Sequence, residues 1–196
     1  MSHSQGGEEA VILEAVKHLD TGRWLDVGAG DGVCFSNSRA LAELGWGGTA
    51  VECCPFTTGA LTHRYADRED VNVVCGAMAV HDGVRQLHAS HDGLLSTTDY
   101  VNMKKWEGET TFDIVYVPLF TPAQLFAALP GPYEFINIDT EGTSLDLFKV
   151  MLEMDLGTVC WCVEHDGHQI EMANRGREKG LGTKYLDGNN LIMARE

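Results

Sequence analysis

Residues 24–32 limit the possible folds more than any other part of this sequence. They read WLDVGAGDG, a short apolar run that contains one acid and then has glycine at alternate positions. An apolar run without polar alternation is typical of a strand buried on both faces of a parallel sheet. Gly28 and Gly30 allow backbone conformations that other residues avoid, and they carry no side chain that would hold a ligand off the backbone. The segment predicts a buried strand followed by a loop that binds a nucleotide-type cofactor.

The spacing of these glycines narrows the choice of cofactor. A dinucleotide fingerprint needs a third glycine, in the pattern G-x-G-x-x-G, so that the next helix can meet a pyrophosphate. This chain has Val33 at that position. The pattern D-x-G-x-G-x-G over residues 26–32 instead resembles motif I of class I methyltransferases, which use S-adenosylmethionine. The residues that this resemblance assigns to the methionine end of the cofactor are Asp26, Gly28, Ala29 and Gly30.

Glu52 is the candidate ligand for the cofactor ribose. It ends an apolar run at residues 48–52, about twenty residues after the glycines, where nucleotide-binding α/β folds place an acid that accepts hydrogen bonds from both ribose hydroxyls. Ala77 and Met78 follow the next predicted strand, at residues 71–75. We assign these two residues to the adenine edge.

Ser36 and Asn37 have two possible roles. A helical pattern covers residues 35–44 and ends at Gly45, which places both side chains in the first helical turn. There they either hydrogen-bond to the cofactor carboxylate or cap the helix.

Strand and helix patterns alternate along most of the chain, which is typical of an α/β protein with a parallel sheet. Helices are expected near residues 10–19, 35–44, 55–65, 145–154 and 170–179. Strands are expected near residues 24–27, 48–52, 71–75, 135–139 and 158–164, with extra strands at 84–89 and 112–117 and a terminal hairpin over 183–186 and 190–194. We therefore predict a mostly parallel central sheet with helices on both faces and a C-terminal antiparallel hairpin.

The composition limits the partners of the protein. A net charge of −15 argues against nucleic acid and anionic membranes, because binding to phosphates depends on lysine and arginine. No apolar run reaches the ~18 residues that a membrane span needs, and residues 1–7 are polar and do not resemble a signal peptide. The 196 residues suit one domain. We expect a cytoplasmic single domain over residues 1–196, with residues 1–7 as a disordered tail and a small molecule as substrate.

Several segments together resemble the FkbM-type methyltransferases. Residues 24–55 resemble the opening of that family, and residues 135–148 are similar to its second hallmark, an apolar strand that runs into D-x-E-G at 139–142. The resemblance implies a Rossmann-like class I methyltransferase fold, S-adenosylmethionine as donor, and O-methylation of a hydroxyl, often on a sugar or a polyketide-like product. Ser144 and the pair Cys53-Cys54 depart from the family pattern, which leaves the acceptor open.

Asp139, Glu141 and His165 are the candidates for activating the acceptor. Residues that follow the strands of an open parallel sheet meet at one edge, where ligands bind. A histidine is well suited to take a proton near neutral pH, and the two carboxylates can orient a hydroxyl or ligate a hard cation. A divalent metal is possible but not favoured, and its ligands would be Asp139, Glu164 and His165. Alternatively, Asp139 caps the next helix or binds the cofactor amine, and Glu141 is a solvated turn residue.

Two other functions stay open at this point. An NAD-dependent oxidoreductase shares the Rossmann-like architecture, although Val33 in place of the third glycine counts against it. A non-catalytic cofactor-binding protein can keep the same fold without the chemistry.

Overall fold

The computed structural model of the protein describes residues 2–90, 95–98, 100–105 and 108–195, in which helices and strands alternate along most of the chain. The strands are β1 (Arg23–Val27), β2 (Gly47–Glu52), β3 (Val71–Cys75), β4 (Ala77–Met78), β5 (Gly83–Ser90), β6 (Phe112–Phe120), β7 (Phe135–Ile138), β8 (Cys160–Glu164), β9 (Leu181–Leu186) and β10 (Asn190–Arg195). The helices are α1 (Glu8–Val16), α2 (Arg39–Glu43), α3 (Pro55–Arg64), α4 (Tyr100–Lys105), α5 (Pro122–Ala128), α6 (Ser144–Leu152) and α7 (Gln169–Glu178). Among the described residues, no helix is long and apolar enough to cross a membrane.

The main sheet of the described chain has seven strands in the order β3-β2-β1-β7-β8-β10-β9. The pairs from β3 to β8 are parallel, and β10 pairs antiparallel with both β8 and β9. The predicted fold class is therefore confirmed, including the C-terminal hairpin. Since β2, β1, β7 and β8 all run in the same direction, their carboxyl ends lie along one edge of the sheet.

Helices cover both faces of this sheet. Trp24 of β1 is fully buried in the same apolar cluster as Ile12 of α1 and Leu61 of α3. Leu25, the next residue, is buried on the other face in a cluster that includes Phe148 of α6. Successive side chains of a strand point to opposite faces, so β1 is apolar on both faces, as a central parallel strand must be.

A second, three-stranded sheet has the order β4-β6-β5. The antiparallel pairing of β5 with β6 extends over eight residue pairs, which confirms the extra strands expected at residues 84–89 and 112–117. His88 of β5 forms a further bridge to Thr97. This bridge brings residues 95–98 beside the carboxyl ends of the main sheet.

The helix expected over residues 35–44 is much shorter in the structure, since α2 has only five residues. Phe35 has a φ of 55°, which interrupts a right-handed helix. The side chains of Asn37 and Ser38 hydrogen-bond to strand residues, and such bonds compete with helix formation. Ser36 and Asn37 therefore precede the helix, and the prediction that they cap it is wrong.

Thr143 and Asp146 have the spacing of a capping box in the sequence, but they do not form one in the structure. The hydroxyl of Thr143 donates to Thr140 Oγ1 instead, and α6 has no side-chain cap. A capping box does occur at α5, where Thr121 and Gln124 cap each other. Because α5 follows the end of β6 immediately, the sequence pattern did not separate these two elements.

Residues 2–7 lie against the body of the protein, in contrast to the disordered tail that the sequence predicts over 1–7; residue 1 is outside the described residues. The backbone N–H of Gly7 donates to the hydroxyl of Tyr185, and Asn189 Nδ2 donates to Gln5 Oε1 at 3.1 Å. Ser4 is buried. These contacts with β9 and the hairpin turn hold the segment in place.

Candidate active site

A cavity of about 580 Å³ opens at the carboxyl ends of β1, β2, β7 and β8. Pockets of roughly 300–1,000 Å³ are usual for small-molecule ligands. The predicted site residues that line this cavity are Asp26, Gly28, Ala29, Gly30, Ser36, Asn37, Glu52, Ala77, Met78, Asp139, Glu141 and Glu164. Of the residues predicted for the site, His165 alone is missing from the lining.

Gly28 and Gly30 serve different purposes in the loop after β1. Gly28 has a φ of 87°, and a Cβ atom there would lie 1.6 Å from the backbone oxygen of Asp139. The N–H of Asp139 in turn donates to Val27 O at 2.8 Å. Gly28 is thus required because the chain after β7 crosses directly over it. Gly30 has a φ of 55°, and a Cβ atom there would meet no atom within 4 Å, so the backbone of Gly30 faces the open cavity.

Glu52 is buried at the end of β2 and is held there by the backbone. Its Oε2 accepts a hydrogen bond from the N–H of Gly30 at 2.9 Å, and its Oε1 accepts one from the N–H of Cys54 at 2.6 Å. Burial raises the pKa of the Glu52 carboxyl, and these backbone bonds oppose that shift. Because an ionised carboxylate has about four acceptor sites and the N–H groups of Gly30, Cys53 and Cys54 use up to three of them, at least one acceptor site remains for a ligand.

Asp26 is the centre of a buried polar network. Ser38 Oγ donates to Asp26 Oδ2, and Asn137 Nδ2 donates to Asp26 Oδ1 at 2.8 Å. Asn37 Nδ2 donates to Asn137 Oδ1 at 3.1 Å. Burial raises the pKa of Asp26, while the bonds from Ser38 and Asn137 act in the opposite direction. Ser38 and Asn137 are not among the residues predicted for the site, although a single asparagine in the apolar strand FINI at residues 135–138 is a detectable signal.

The amide oxygen of Asn37 stands out in this network. It is buried and has no hydrogen-bond partner among the described residues. Leaving a buried acceptor unpaired costs roughly 1–3 kcal/mol. Since Asn37 lines the cavity, a ligand with an N–H donor at this position would satisfy it.

Asp139, Glu141 and Glu164 form an acidic cluster in the cavity wall, with carboxylate oxygens that lie within 4.8 Å of one another. Glu141 has a φ of 50°, and its N–H donates to Glu164 Oε2 at 3.1 Å. The hydroxyl of Thr97 donates to the backbone oxygen of Glu141. Three oxygen donors of this kind suit a hard divalent cation. Glu141, and not His165 as predicted from the sequence, thus lies with Asp139 and Glu164 as a candidate metal ligand.

Burial is the main reason that the carboxyl groups of this cluster are harder to ionise than usual. Burial and then the charge of Glu141 raise the pKa of Asp139 to about 7. Burial and then the charge of Asp139 raise the pKa of Glu164 still further. Ionising several neighbouring carboxyls in one buried place has a high free-energy cost, because their charges repel and lack solvent. The cluster therefore retains a proton near neutral pH.

Solved structures of other proteins share this architecture, although the sequence itself has no match. No known protein family and no curated protein matches the sequence. Among solved structures, the chain is similar to precorrin-6y C5,15-methyltransferase from Geobacter metallireducens GS-15, with a TM-score of 0.51, 10% identity, and coverage of 96% of this chain and 87% of that one. The chain has the class I methyltransferase fold.

Two further structures with the class I methyltransferase fold agree with this assignment. The delta-N METTL16 MTase domain has a TM-score of 0.51 and 14% identity, with coverage of 96% of this chain and 80% of that one. The SAM-dependent methyltransferase from Agrobacterium tumefaciens has a TM-score of 0.50 and 12% identity, with coverage of 97% of this chain and 62% of that one. At such low identity the likeness concerns the fold, and the chemistry has to be argued from the cavity.

His165 lies outside the cavity of this class I methyltransferase fold. Its Nδ1 accepts a hydrogen bond from the N–H of Gly167 at 3.1 Å, so Nε2 carries the proton and donates to Asp187 O at 3.2 Å. Both ring nitrogens are therefore occupied by backbone groups, and the side chain is buried. The geometry does not fit the prediction that His165 is the base or a metal ligand. His168, one turn later, is likewise absent from the cavity lining.

The raised pKa values of the acidic cluster predict that the protein loses stability as the pH rises. In the unfolded chain these carboxyls ionise at their ordinary pKa, whereas in the folded protein Asp139 ionises at about 7 and Glu164 above that. The contribution of these protonated carboxyls to the free energy of unfolding is therefore complete at acid pH. It is lost as the pH rises through their pKa values in the folded protein. We expect Tm in the presence of EDTA to fall between pH 5 and pH 8.

Glu164→Gln tests this origin of the pH dependence. Each pKa unit corresponds to about 1.4 kcal/mol, which for a chain of this length changes Tm by roughly 3–6 °C. We expect Glu164→Gln to raise Tm at pH 8 by at least that amount and to flatten the pH profile. Glu178→Gln, an exposed position on α7, is the matched control and should leave the profile unchanged. A Glu164→Gln profile as steep as that of the parent protein would contradict the prediction.

Proposed function

We propose that this protein transfers a methyl group from S-adenosylmethionine to a hydroxyl of a small molecule or sugar. The observation that carries the proposal is the Glu52 carboxylate, which the backbone of Gly30 and Cys54 holds at the end of β2. Glu52 lines the cavity at the place where nucleotide-binding folds have an acid that accepts hydrogen bonds from the ribose hydroxyls. Glu52 shares its cavity with the glycine loop and with Ala77 and Met78.

The residues of the cavity fit the other groups of this cofactor. Asn37 Oδ1, the buried acceptor without a partner, would accept from the α-amino group. Gly30, whose backbone faces open space, leaves room for the methionine chain beside it. Ala77 and Met78 offer small and apolar surfaces to the adenine edge. Together these residues would hold the cofactor along the carboxyl ends of β1, β2 and β3.

The acceptor hydroxyl needs to be aligned and to lose a proton. When bound, S-adenosylmethionine supplies an electrophilic methyl group on a positively charged sulfur. Asp139 is our candidate for the base, because it lines the cavity and burial gives it a pKa of about 7, close to the value at which a general base works best at neutral pH. Glu164, whose pKa is raised further, keeps its proton and donates it in a hydrogen bond to Asp139. Glu141, whose carboxylate lies in the same cluster, would help to orient the acceptor.

Membership of the FkbM-type methyltransferases is part of the proposal. It rests on the D-x-E-G segment at residues 139–142, whose two acids both line the cavity. The choice of a hydroxyl as acceptor, and of a sugar or another small molecule to carry it, comes from that resemblance.

The loop after β1 argues against an NAD-dependent oxidoreductase. In dinucleotide-binding folds, backbone N–H groups at this point bind the pyrophosphate. Here the N–H groups of Val33 and Cys34 both donate to Asp31 Oδ1 at 2.8 Å. A carboxylate of the protein itself thus occupies the position where an anionic ligand would bind.

Calorimetry with S-adenosylhomocysteine and with NAD separates these two functions. We expect S-adenosylhomocysteine to bind at least tenfold more tightly than NAD, because the ribose and amine acceptors are present and the pyrophosphate donors are occupied. Tighter binding of NAD would overturn the proposal. Turnover with a panel of hydroxylated acceptors, followed by release of S-adenosylhomocysteine, distinguishes an enzyme from a protein that only binds the cofactor.

A further inference from the structure

Phe35 combines three features that seldom occur together in a residue without a ligand-binding role. Its φ is 55°, a conformation that bulky L-residues avoid. Its side chain is 53% exposed, so little packing offsets the strain. Among the described residues that line the cavity, Phe35 is the only aromatic one. Strained residues of this kind cluster at ligand-binding positions, where the surrounding structure maintains the strain.

The order of the strands places Phe35 on the side of the cavity that holds the acidic cluster. Asn37, two residues later, is hydrogen-bonded to Asn137 of β7, and Asp139 follows directly after that strand. Ala77 and Met78, assigned to adenine, lie in β4 after β3, which is on the other side of β1 in the sheet order. Phe35 therefore lies on the side of the acidic cluster, away from the adenine edge.

The charge of the cavity limits which molecules can lie on this ring. The described residues that line it include five carboxylic acids and no lysine, arginine or histidine. The five acids are Asp26, Glu52, Asp139, Glu141 and Glu164. At close range in a partly buried site, like charges repel strongly. An acceptor with a phosphate or carboxylate group is therefore disfavoured.

We propose that Phe35 is the binding platform for the methyl acceptor, and that the acceptor is an uncharged or cationic molecule that lays the face of an aromatic or sugar ring against it. The proposal rests on the methyl-transfer function proposed above and adds the class of acceptor to it. Aromatic side chains bind such rings through offset stacking or through contact with the C–H face of a sugar. The exposed ring of Phe35, whose backbone is strained, becomes covered when the acceptor binds.

Two substitutions, Phe35→Gly and Phe35→Ala, test the backbone strain first. Glycine adopts a positive φ without penalty whereas alanine does not, so we expect Phe35→Gly to unfold at or above the Tm of Phe35→Ala. At an ordinary position the order would be the reverse. A lower Tm for Phe35→Gly than for Phe35→Ala would overturn the argument from strain.

Ligand binding to the same variants tests the platform itself. With S-adenosylhomocysteine at saturation, the probes are phenyl β-D-glucopyranoside, its anionic analogue phenyl β-D-glucuronide, and glycerol. We expect the parent protein to bind the neutral glucoside at least tenfold more tightly than the other two. Both Phe35 variants should bind the glucoside at least tenfold more weakly, while their Kd for S-adenosylhomocysteine stays within twofold. Phe56→Ala is the matched control, since Phe56 is 62% exposed on α3 and does not line the cavity.

Several other results of these binding measurements would overturn the proposal or the function on which it rests. Unchanged glucoside affinity in the Phe35 variants, no glucoside binding by the parent protein, or preferred binding of the glucuronide would overturn the proposal. A tenfold loss of affinity for S-adenosylhomocysteine in the variants would assign Phe35 to the donor and overturn it as well. Failure of the parent protein to bind S-adenosylhomocysteine would instead overturn the methyl-transfer function itself.

Discussion

Gly28→Ala is expected to abolish cofactor binding and to prevent the native fold from forming at 37 °C. The added Cβ would lie 1.6 Å from the backbone oxygen of Asp139, and backbone at the edge of a central sheet cannot move aside easily. The φ of 87° adds conformational strain for any residue with a side chain. Circular dichroism during thermal unfolding, together with calorimetry of S-adenosylhomocysteine, measures both effects.

Gly59→Ala is the control for this prediction. Gly59 lies within α3, and a Cβ atom there would meet no atom within 4 Å. Alanine is a better helix former than glycine by about 1 kcal/mol, so this variant should have an unchanged or higher Tm. A Gly28→Ala protein that folds and binds the cofactor like the Gly59→Ala protein would show that the chain after β7 does not cross at this position.

Glu52→Ala is expected to weaken the binding of S-adenosylhomocysteine by more than tenfold. Hydrogen bonds to a charged group contribute about 1.5–3 kcal/mol each, and 1.4 kcal/mol corresponds to a factor of ten. The substitution also removes the acceptor for the N–H groups of Gly30 and Cys54, so the glycine loop loses its support. Isothermal titration calorimetry measures the change in Kd.

Glu52→Gln separates these two contributions, because the amide keeps the size of the side chain and one acceptor oxygen. We expect its affinity to lie between those of the parent protein and of Glu52→Ala. Glu69→Ala, an exposed acid that does not line the cavity, serves as the control for the loss of charge. If Glu52→Ala bound the ligand as tightly as Glu69→Ala does, the ribose would have to bind elsewhere.

The sequence allowed the residues at the ends of β1 and β2 to be placed in one cavity, because that side of the cavity depends on local patterns. The glycines after β1 and the acid at the end of β2 each follow a strand that is recognisable from its apolar residues. In a parallel sheet the carboxyl ends of such strands meet at one edge whatever the loops contain. Asp26, Gly30 and Glu52 therefore lie around one cavity, as expected.

The side of the cavity at the ends of β7 and β8 depends on tertiary structure and was harder to predict. His165 directly follows Glu164, but successive side chains on an extended backbone point in opposite directions. Glu164 therefore faces the cavity, while backbone groups at Gly167 and Asp187 bind the imidazole. Likewise, the helical pattern at residues 35–44 gave no sign that Ser38 would hydrogen-bond to Asp26.

The position of residues 2–7 has a practical consequence for experiments on this protein. Gln5 lines the cavity and is hydrogen-bonded to Asn189. The fluorescence of a dye attached ahead of Gln5 should therefore change when a ligand enters the cavity. An affinity tag at the same end would disturb that measurement. Because β10 pairs antiparallel with β8, with Ala194 opposite Cys160, Arg195 lies at the far edge of the sheet. A tag joined after it would stay clear of the cavity.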